Sequence, residues 1–332
     1  MDEWAIAARE PAVLVTVAAV EGSGPREPGA RMLVAGARLA GTIGGGHLEL
    51  RAIEIARAMM KEGTPRRFER FALGPSLGQC CGGVVHLAFE MVDPIQSEML
   101  ANRRNDDSWR LAALDGAPDS ALFDGAGRQL AGAAAPVFAR SRGTHVLQEQ
   151  DGRRWLVAQV AAPRAHVMLF GAGHVGAAVV RALAPLPCRI TWVDERDDMF
   201  PFEVPDNVRI EASDAPEDLV ARAPDGASYL VMTHSHALDQ RLAEAILARD
   251  NVGWFGLIGS KTKRKQFEHR LRARGFDAAR IDAMACPIGL PGITGKEPAV
   301  IAASVSAQLL MLWEVASRAD AGAPPIRLVG SC

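Results

Sequence analysis

The chain has 332 residues, 48% of them hydrophobic and 23% charged, with a formal net charge of −2. That length suits two domains with proper cores, and a near-neutral charge argues against nucleic acid or an anionic membrane surface as a partner, since both call for a basic face. The five cysteines (Cys80, Cys81, Cys188, Cys286, Cys332) are odd in number and include no C-x-x-C, which excludes a disulfide scaffold or zinc ribbon and fits a reducing compartment.

Met1-Asp2-Glu3-Trp4 is acidic where a secretory signal would open with positive charge. The apolar stretches read as broken by Gly, Pro or charge short of the roughly 20 residues of a membrane span, so a cytoplasmic protein is expected. Residues 12–20, apolar and β-branched at several positions, predict a buried strand. A turn-rich loop, Glu21-Gly-Ser-Gly-Pro-Arg-Glu-Pro-Gly29, leads to a second strand at 31–35 and then to Gly41-Thr-Ile-Gly-Gly-Gly46. Leu48, Ala52, Ile55 and Met59 recur near the helical period and predict a helix over 47–62. Strands at 67–73 and 84–91 bracket Gly74-Pro-Ser-Leu-Gly-Gln-Cys-Cys-Gly-Gly83. From 94 to 163 the periodicity weakens; two hairpins with Asp-Gly turns are expected near 122–128 and 147–156.

After 165 short apolar runs (166–170, 189–193, 208–212, 228–233, 252–258) alternate with amphipathic stretches at 174–184, 216–223, 237–249 and 261–275. A last helix, 298–317, opens on Pro298. The expected class is therefore α/β: a C-terminal Rossmann-type doubly wound parallel sheet (164–332) with a smaller N-terminal α+β domain (1–105), and 106–163 as a β-rich appendix or linker.

A lone G-x-G-x-x-G is a weak signal, but Gly171-x-Gly173-x-x-Gly176 follows an apolar strand, opens a helix, and is answered by Asp194 23 residues on. In that context Gly171 permits a tight turn, Gly173 lets the backbone approach a phosphate, Gly176 lets helix and strand pack closely, and Asp194 can take a ribose hydroxyl. The helix N-terminus supplies N–H groups and positive dipole. His174, at the helix start, is as readily an ordinary first-turn residue.

Gln79-Cys80-Cys81 lies between glycines. Open thiols there could become thiolates that bind a soft metal or take up sulfur, against the plain alternative of two small core residues. Thr233-His234-Ser-His236 stands at a strand end, where ligands bind in such sheets. Ser260 and Lys261 open the 261–275 helix and could hold an anion, whereas Lys263 and Lys265 read as a solvated basic face. Gly292-Ile-Thr-Gly-Lys296 has neither the leading Gly nor the Ser/Thr of a P-loop.

Together these segments resemble the XdhC/CoxI family. The resemblance is carried by residues 21–32, 41–49 (Gly-Thr-Ile-Gly-Gly-Gly-His-Leu-Glu), 73–84, 170–176, 233–239 (Thr-His-Ser-His-Ala-Leu-Asp), 256–264 and 286–293, in order along nearly the whole chain. It implies a chaperone for the molybdenum cofactor (molybdopterin) rather than a catalyst. Such a protein binds the cofactor, supports its sulfuration by a cysteine desulfurase, and inserts it into an apo xanthine dehydrogenase or related molybdenum hydroxylase. A cytoplasmic homodimer is implied as well. The residues expected to hold the cofactor are Gln79, Cys80, Cys81, Gly171, Gly173, His174, Gly176, Asp194, His234, His236, Ser260 and Lys261, with Cys80 and Cys81 as candidate molybdenum contacts. The alternatives are an NAD(P)-dependent oxidoreductase using the same turn and a redox-sensing protein built on the two thiols.

Overall fold

The structure is a computed structural model that describes residues 3–74 and 82–320. It divides into two compact units, Met1–Ala162 and Pro163–Cys332.

In the first unit a short helix, α1 (Glu3–Ala7), precedes β1 (Val13–Glu21), β2 (Arg31–Ala35), β3 (Arg38–Gly41), α2 (Gly46–Glu62), β4 (Arg66–Ala72) and β5 (Val84–Met91). The strands form an antiparallel sheet in the order β3-β2-β1-β5-β4. Val13, Val15 and Val17 of β1 join Leu48, Ala52, Ile55 and Met59 of α2 in one core, while Leu14 and Ala18 face the other way into separate clusters. Both faces of β1 are covered, which is why it reads as an unbroken apolar run and not as an alternating one.

Helix α3 (Pro94–Asn102) then leads into β6 (Ser108–Ala113), β7 (Ser120–Asp124), β8 (Gln129–Gly132), β9 (His145–Gln148) and β10 (Arg154–Val160), a second antiparallel sheet in the order β8-β7-β6-β10-β9. The two Asp-Gly hairpins are present as β7–β8 and β9–β10. Helix α3 and strand β6 had no sequence signal. The residues α3 buries are Gln96, Ser97 and Leu100, so no apolar stripe marks it, and β6 buries Ser108 and Arg110 along with its apolar residues.

Arg110 is tolerated there because it forms a two-pronged hydrogen bond with Glu90 of β5, Nη1 to Oε1 at 2.8 Å and Nη2 to Oε2 at 3.0 Å. Arg66 of β4 lies beside the same carboxylate at 3.7 Å and donates to the Met91 carbonyl at 2.8 Å. Trp4 of α1 places its ring 4.9 Å from the Arg110 guanidinium. Three charges are thus sealed between the two sheets.

The second unit holds β11 (Ala165–Phe170), α4 (His174–Leu183), β12 (Cys188–Asp194), β13 (Val208–Ala212), α5 (Pro216–Arg222), β14 (Ala227–Val231), α6 (His236–Leu247), β15 (Val252–Leu257), α7 (Lys261–Ala273), α8 (Ala278–Ala283) and α9 (Pro298–Asp320). The sheet is parallel, in the order β13-β12-β11-β14-β15, and carries separate hydrophobic cores on its two faces. This is the doubly wound arrangement read from the sequence. The chain reverses its direction of travel across the sheet between β11 and β14, and such a switch point opens a crevice at the carboxyl ends of the strands.

Helix α9 corrects the sequence reading of the apolar stretches: Pro298–Ser317 is long and apolar enough, by length and composition, to cross a membrane. Its Ala302, Val305 and Leu309 are buried in the core of this unit. Ser304 Oγ accepts the Leu290 N–H, and Gln308 Oε1 accepts the Gly289 N–H.

The sealed charges make a pH-dependent prediction. Burial works against the Glu90 charge, but Arg110 and then Arg66 outweigh it, so its carboxyl is held below the ordinary range. A carboxyl with a depressed folded pKa stabilises the fold fully above the unfolded value of about 4.3, and that contribution is lost as pH falls through the folded value. Glu90→Gln strands two buried arginines and should cost about 3–5 kcal/mol at neutral pH. In urea unfolding, the gap between wild type and variant should shrink as the pH is taken below 4.3 or so; a gap that stays constant with pH contradicts this account.

Candidate functional site

The site grows from the end of β11. Gly171 has φ +118°, and a Cβ there would lie 2.4 Å from the Met232 carbonyl oxygen, so the turn requires glycine. A Cβ on Gly176 would come within 2.1 Å of the Gly171 carbonyl oxygen. That oxygen also accepts the Trp192 indole N–H at 3.1 Å, which fixes the loop from the side of β12. Gly173 differs from both. It caps α4 with φ −74°, provides no side-chain cap, and a Cβ there meets nothing within 4 Å. The first turn of α4 therefore faces open space with its N–H groups and dipole uncovered, the local requirement for an anion site.

Asp194, at the end of β12, is buried against this turn. Its Oδ2 accepts the Ala172 N–H at 2.7 Å and Arg196 Nη2 at 3.1 Å; its Oδ1 accepts the Arg196 backbone N–H at 3.0 Å and Nε at 2.9 Å. Burial disfavours the charge, yet the bonds from Arg196 and the Ala172 N–H more than offset it and hold the carboxyl below its ordinary range. Phe170, Gly171, Asp194, Glu195, Thr233 and His234 line a small crevice. Gly171, Asp194 and His234 are thus brought together at the switch point, and His174, the first residue of α4, is exposed.

His236 and Lys261 are the exposed first residues of α6 and α7 and do not line this crevice. Ser260 caps α7, accepting the Lys263 N–H at 3.2 Å. Gln79, Cys80 and Cys81 lie outside the described residues. Among the described residues no group of three or more His, Cys, Asp or Glu side chains is arranged to hold a metal ion. Cys188 and Cys286 are buried, and burial pushes the Cys188 thiol up to about 11.

The sequence reading missed Asp239 and misjudged Lys263. Asp239 accepts the Thr233 N–H at 3.2 Å and the Thr233 hydroxyl at 2.7 Å on Oδ1, and Lys263 Nζ at 2.6 Å on Oδ2. Lys263 Nζ also donates to the Ile258 carbonyl at 2.8 Å. Far from being a solvated face, Lys263 joins the loop after β15 to the loop after β14. The available signal was an acid in the first turn of α6, next to the histidine motif.

Three comparisons bear on the chain. A family model described as the XdhC Rossmann domain matches residues 167–309, and one described as the XdhC and CoxI family matches residues 5–72. An uncharacterized protein, YqeB of Escherichia coli (strain K12), is 26% identical over 179 residues, which cover 53% of this chain and 32% of that protein. The chain thus spans about a third of the length of this curated relative. A crystal structure from Bacillus halodurans described as a xanthine dehydrogenase has a TM-score of 0.72 at 22% identity and covers 98% of each chain, so the two share a fold throughout.

The glycine geometry separates packing from ligand approach. Gly176→Ala pushes a methyl group into backbone and should cost about 1–3 kcal/mol in thermal or urea unfolding, the usual range for overpacking. Gly173→Ala, with free space and an ordinary φ, should change stability by less than about 0.5 kcal/mol, as surface substitutions do. Equal losses for the two variants would contradict the assigned division of labour.

Proposed function

The chain belongs to the XdhC and CoxI family, and from that premise we propose that it is an accessory protein for maturation of a molybdenum hydroxylase of the xanthine dehydrogenase type. It would hold the molybdenum cofactor as cargo, support its sulfuration by a cysteine desulfurase, and insert it into the apo-hydroxylase, acting in the cytoplasm as a homodimer.

The observation that carries the binding step is the uncapped first turn of α4 beside Gly173. The cofactor bears a terminal phosphate, and a helix N-terminus with open space before it is suited to that group. His174 and His234 stand beside this turn and crevice as further candidate contacts, donors able to reach phosphate or pterin oxygens. His236, Ser260 and Lys261 open neighbouring helices at the same end of the sheet and are proposed as peripheral contacts. Gln79, Cys80 and Cys81 are proposed, on sequence chemistry alone, as the contact with the soft metal centre or the point of sulfur uptake.

Protein purified from cells that make molybdopterin should carry about one pterin per subunit, read as the fluorescent oxidised pterin released on denaturation. Gly173→Asp puts a carboxylate in the phosphate's path without disturbing packing, and its pterin content should fall at least tenfold at an unchanged melting temperature. Retention of wild-type pterin by a folded Gly173→Asp protein would remove the turn from the site.

The cysteines have a separate measurement. A Cys80→Ser/Cys81→Ser double variant should fold, because a hydroxyl is close in size to a thiol, and should load cofactor. It should activate apo-hydroxylase at least tenfold less well than wild type at matched pterin content, since serine is a poor soft-metal donor and carries no persulfide. Full activation by the double variant would assign both thiols to packing.

A further inference from the structure

The acid that ends the second strand of a dinucleotide-binding sheet reads the ligand's ribose by accepting hydrogen bonds from its hydroxyls. An ionised carboxylate offers about four acceptor positions. In this chain all four are filled from within: two by the backbone N–H groups of Ala172 and Arg196, two by Nε and Nη2 of the Arg196 guanidinium. A ribose hydroxyl reaching Asp194 would therefore find the acceptor positions it needs already taken, two of them by a guanidinium that can only donate.

We propose that Arg196 is a specificity-determining residue of this strand end: by occupying Asp194 it blocks recognition of an unmodified ribose and so disfavours dinucleotides such as NAD whose adenosine ribose carries a free 2′-hydroxyl. The inference rests on the reading of this crevice as a ligand site. The two kinds of donor differ in permanence. The backbone N–H groups are fixed by the turn and by the strand end, whereas the guanidinium sits on a side chain 38% exposed beside a carboxylate side chain only 3% exposed. Removing the guanidinium leaves Asp194 with its two backbone donors and two vacant acceptor positions facing the crevice, the number a ribose diol fills. The turn itself remains intact, because its bond to Asp194 comes from the Ala172 main chain.

The experiment uses full-length protein made in cells that lack molybdopterin, so that no pterin competes, and titrates NADH by its fluorescence change. Wild type should bind NADH weakly. Arg196→Ala should bind it at least tenfold more tightly, and Arg196→Gln, which retains at most one side-chain bond to Asp194, should fall between. Both should remain folded, since Asp194 keeps its two backbone donors, but melt several degrees below wild type because a buried carboxylate loses its charged partner; if Arg196→Ala fails to fold, the Arg196→Gln titration decides. Adding Asp194→Asn to Arg196→Ala should abolish the gain, which separates a recovered ribose reader from a mere loss of positive charge. Equal NADH affinity in wild type and folded Arg196 variants, whether strong or weak, would overturn the proposal. Its outcome is independent of the pterin measurement: a protein that never carries pterin can still gain NADH binding in Arg196→Ala, and one that carries pterin can fail to.

Discussion

A carboxylate taken out of water has to be paired, and that constraint organises the loops of this protein more than any apolar contact does. In the second unit Asp194 joins the turn after β11 to the end of β12 through Ala172 and Arg196. Asp239 joins the end of β14 to the end of β15 through Thr233 and Lys263. The strand ends that frame the switch point are therefore tied in two pairs, each by one buried acid. The crevice keeps its shape because the loops around it are cross-linked by charge-assisted hydrogen bonds, which are short and about twice as strong as neutral ones.

The first unit repeats the device. Glu49, in the first turn of α2, reaches back to accept the Thr42 hydroxyl at 2.6 Å, the Ile43 N–H at 3.2 Å and the Gly45 N–H at 3.0 Å. This is the logic of a capping box, in which an acid in the first turn satisfies donors ahead of the helix. Burial opposes the charge, and the Thr42 hydroxyl and the N–H groups of Gly45 and Ile43 bring the carboxyl below its ordinary range. The segment Gly41-Thr-Ile-Gly-Gly-Gly-His-Leu-Glu49 is thereby explained as one structural unit: the glycines supply positive φ and the glutamate collects the donors that the turn exposes. Deeper in the same unit, Glu90 plays the part between sheets that Glu49 plays within one loop.

What the sequence disclosed and what it withheld divide along the same line. The strands of the parallel sheet, the helix after Gly173 and the roles of Gly171 and Gly176 depend on residues within one turn of each other, so pattern and spacing reveal them. Strand β6 escaped because its central Arg110 is polar by composition and becomes a core residue only through Glu90, 20 positions earlier and on another sheet. Lys263 looked like a surface lysine because its partner, Asp239, is 24 positions away. Asp194 was legible as an acid in the right place. Its capture by Arg196 was not, although the two are separated by a single residue, because nothing in composition says whether neighbouring charges face each other or the solvent.

That last distinction bears on what kind of site this is. Asp194, which lines the crevice, and Asp239, bonded to Thr233 of its wall, are committed to holding loops and accept hydrogen bonds from protein donors, while Glu195, also in the lining, lies 3.7 Å from Arg241. The groups left facing open space are the N–H groups at the start of α4 and the exposed rings of His174 and His234. A surface built this way is rich in donors and ties Asp194 and Asp239 into its own architecture. The start of α4 in particular offers its N–H groups and positive dipole to an anionic group.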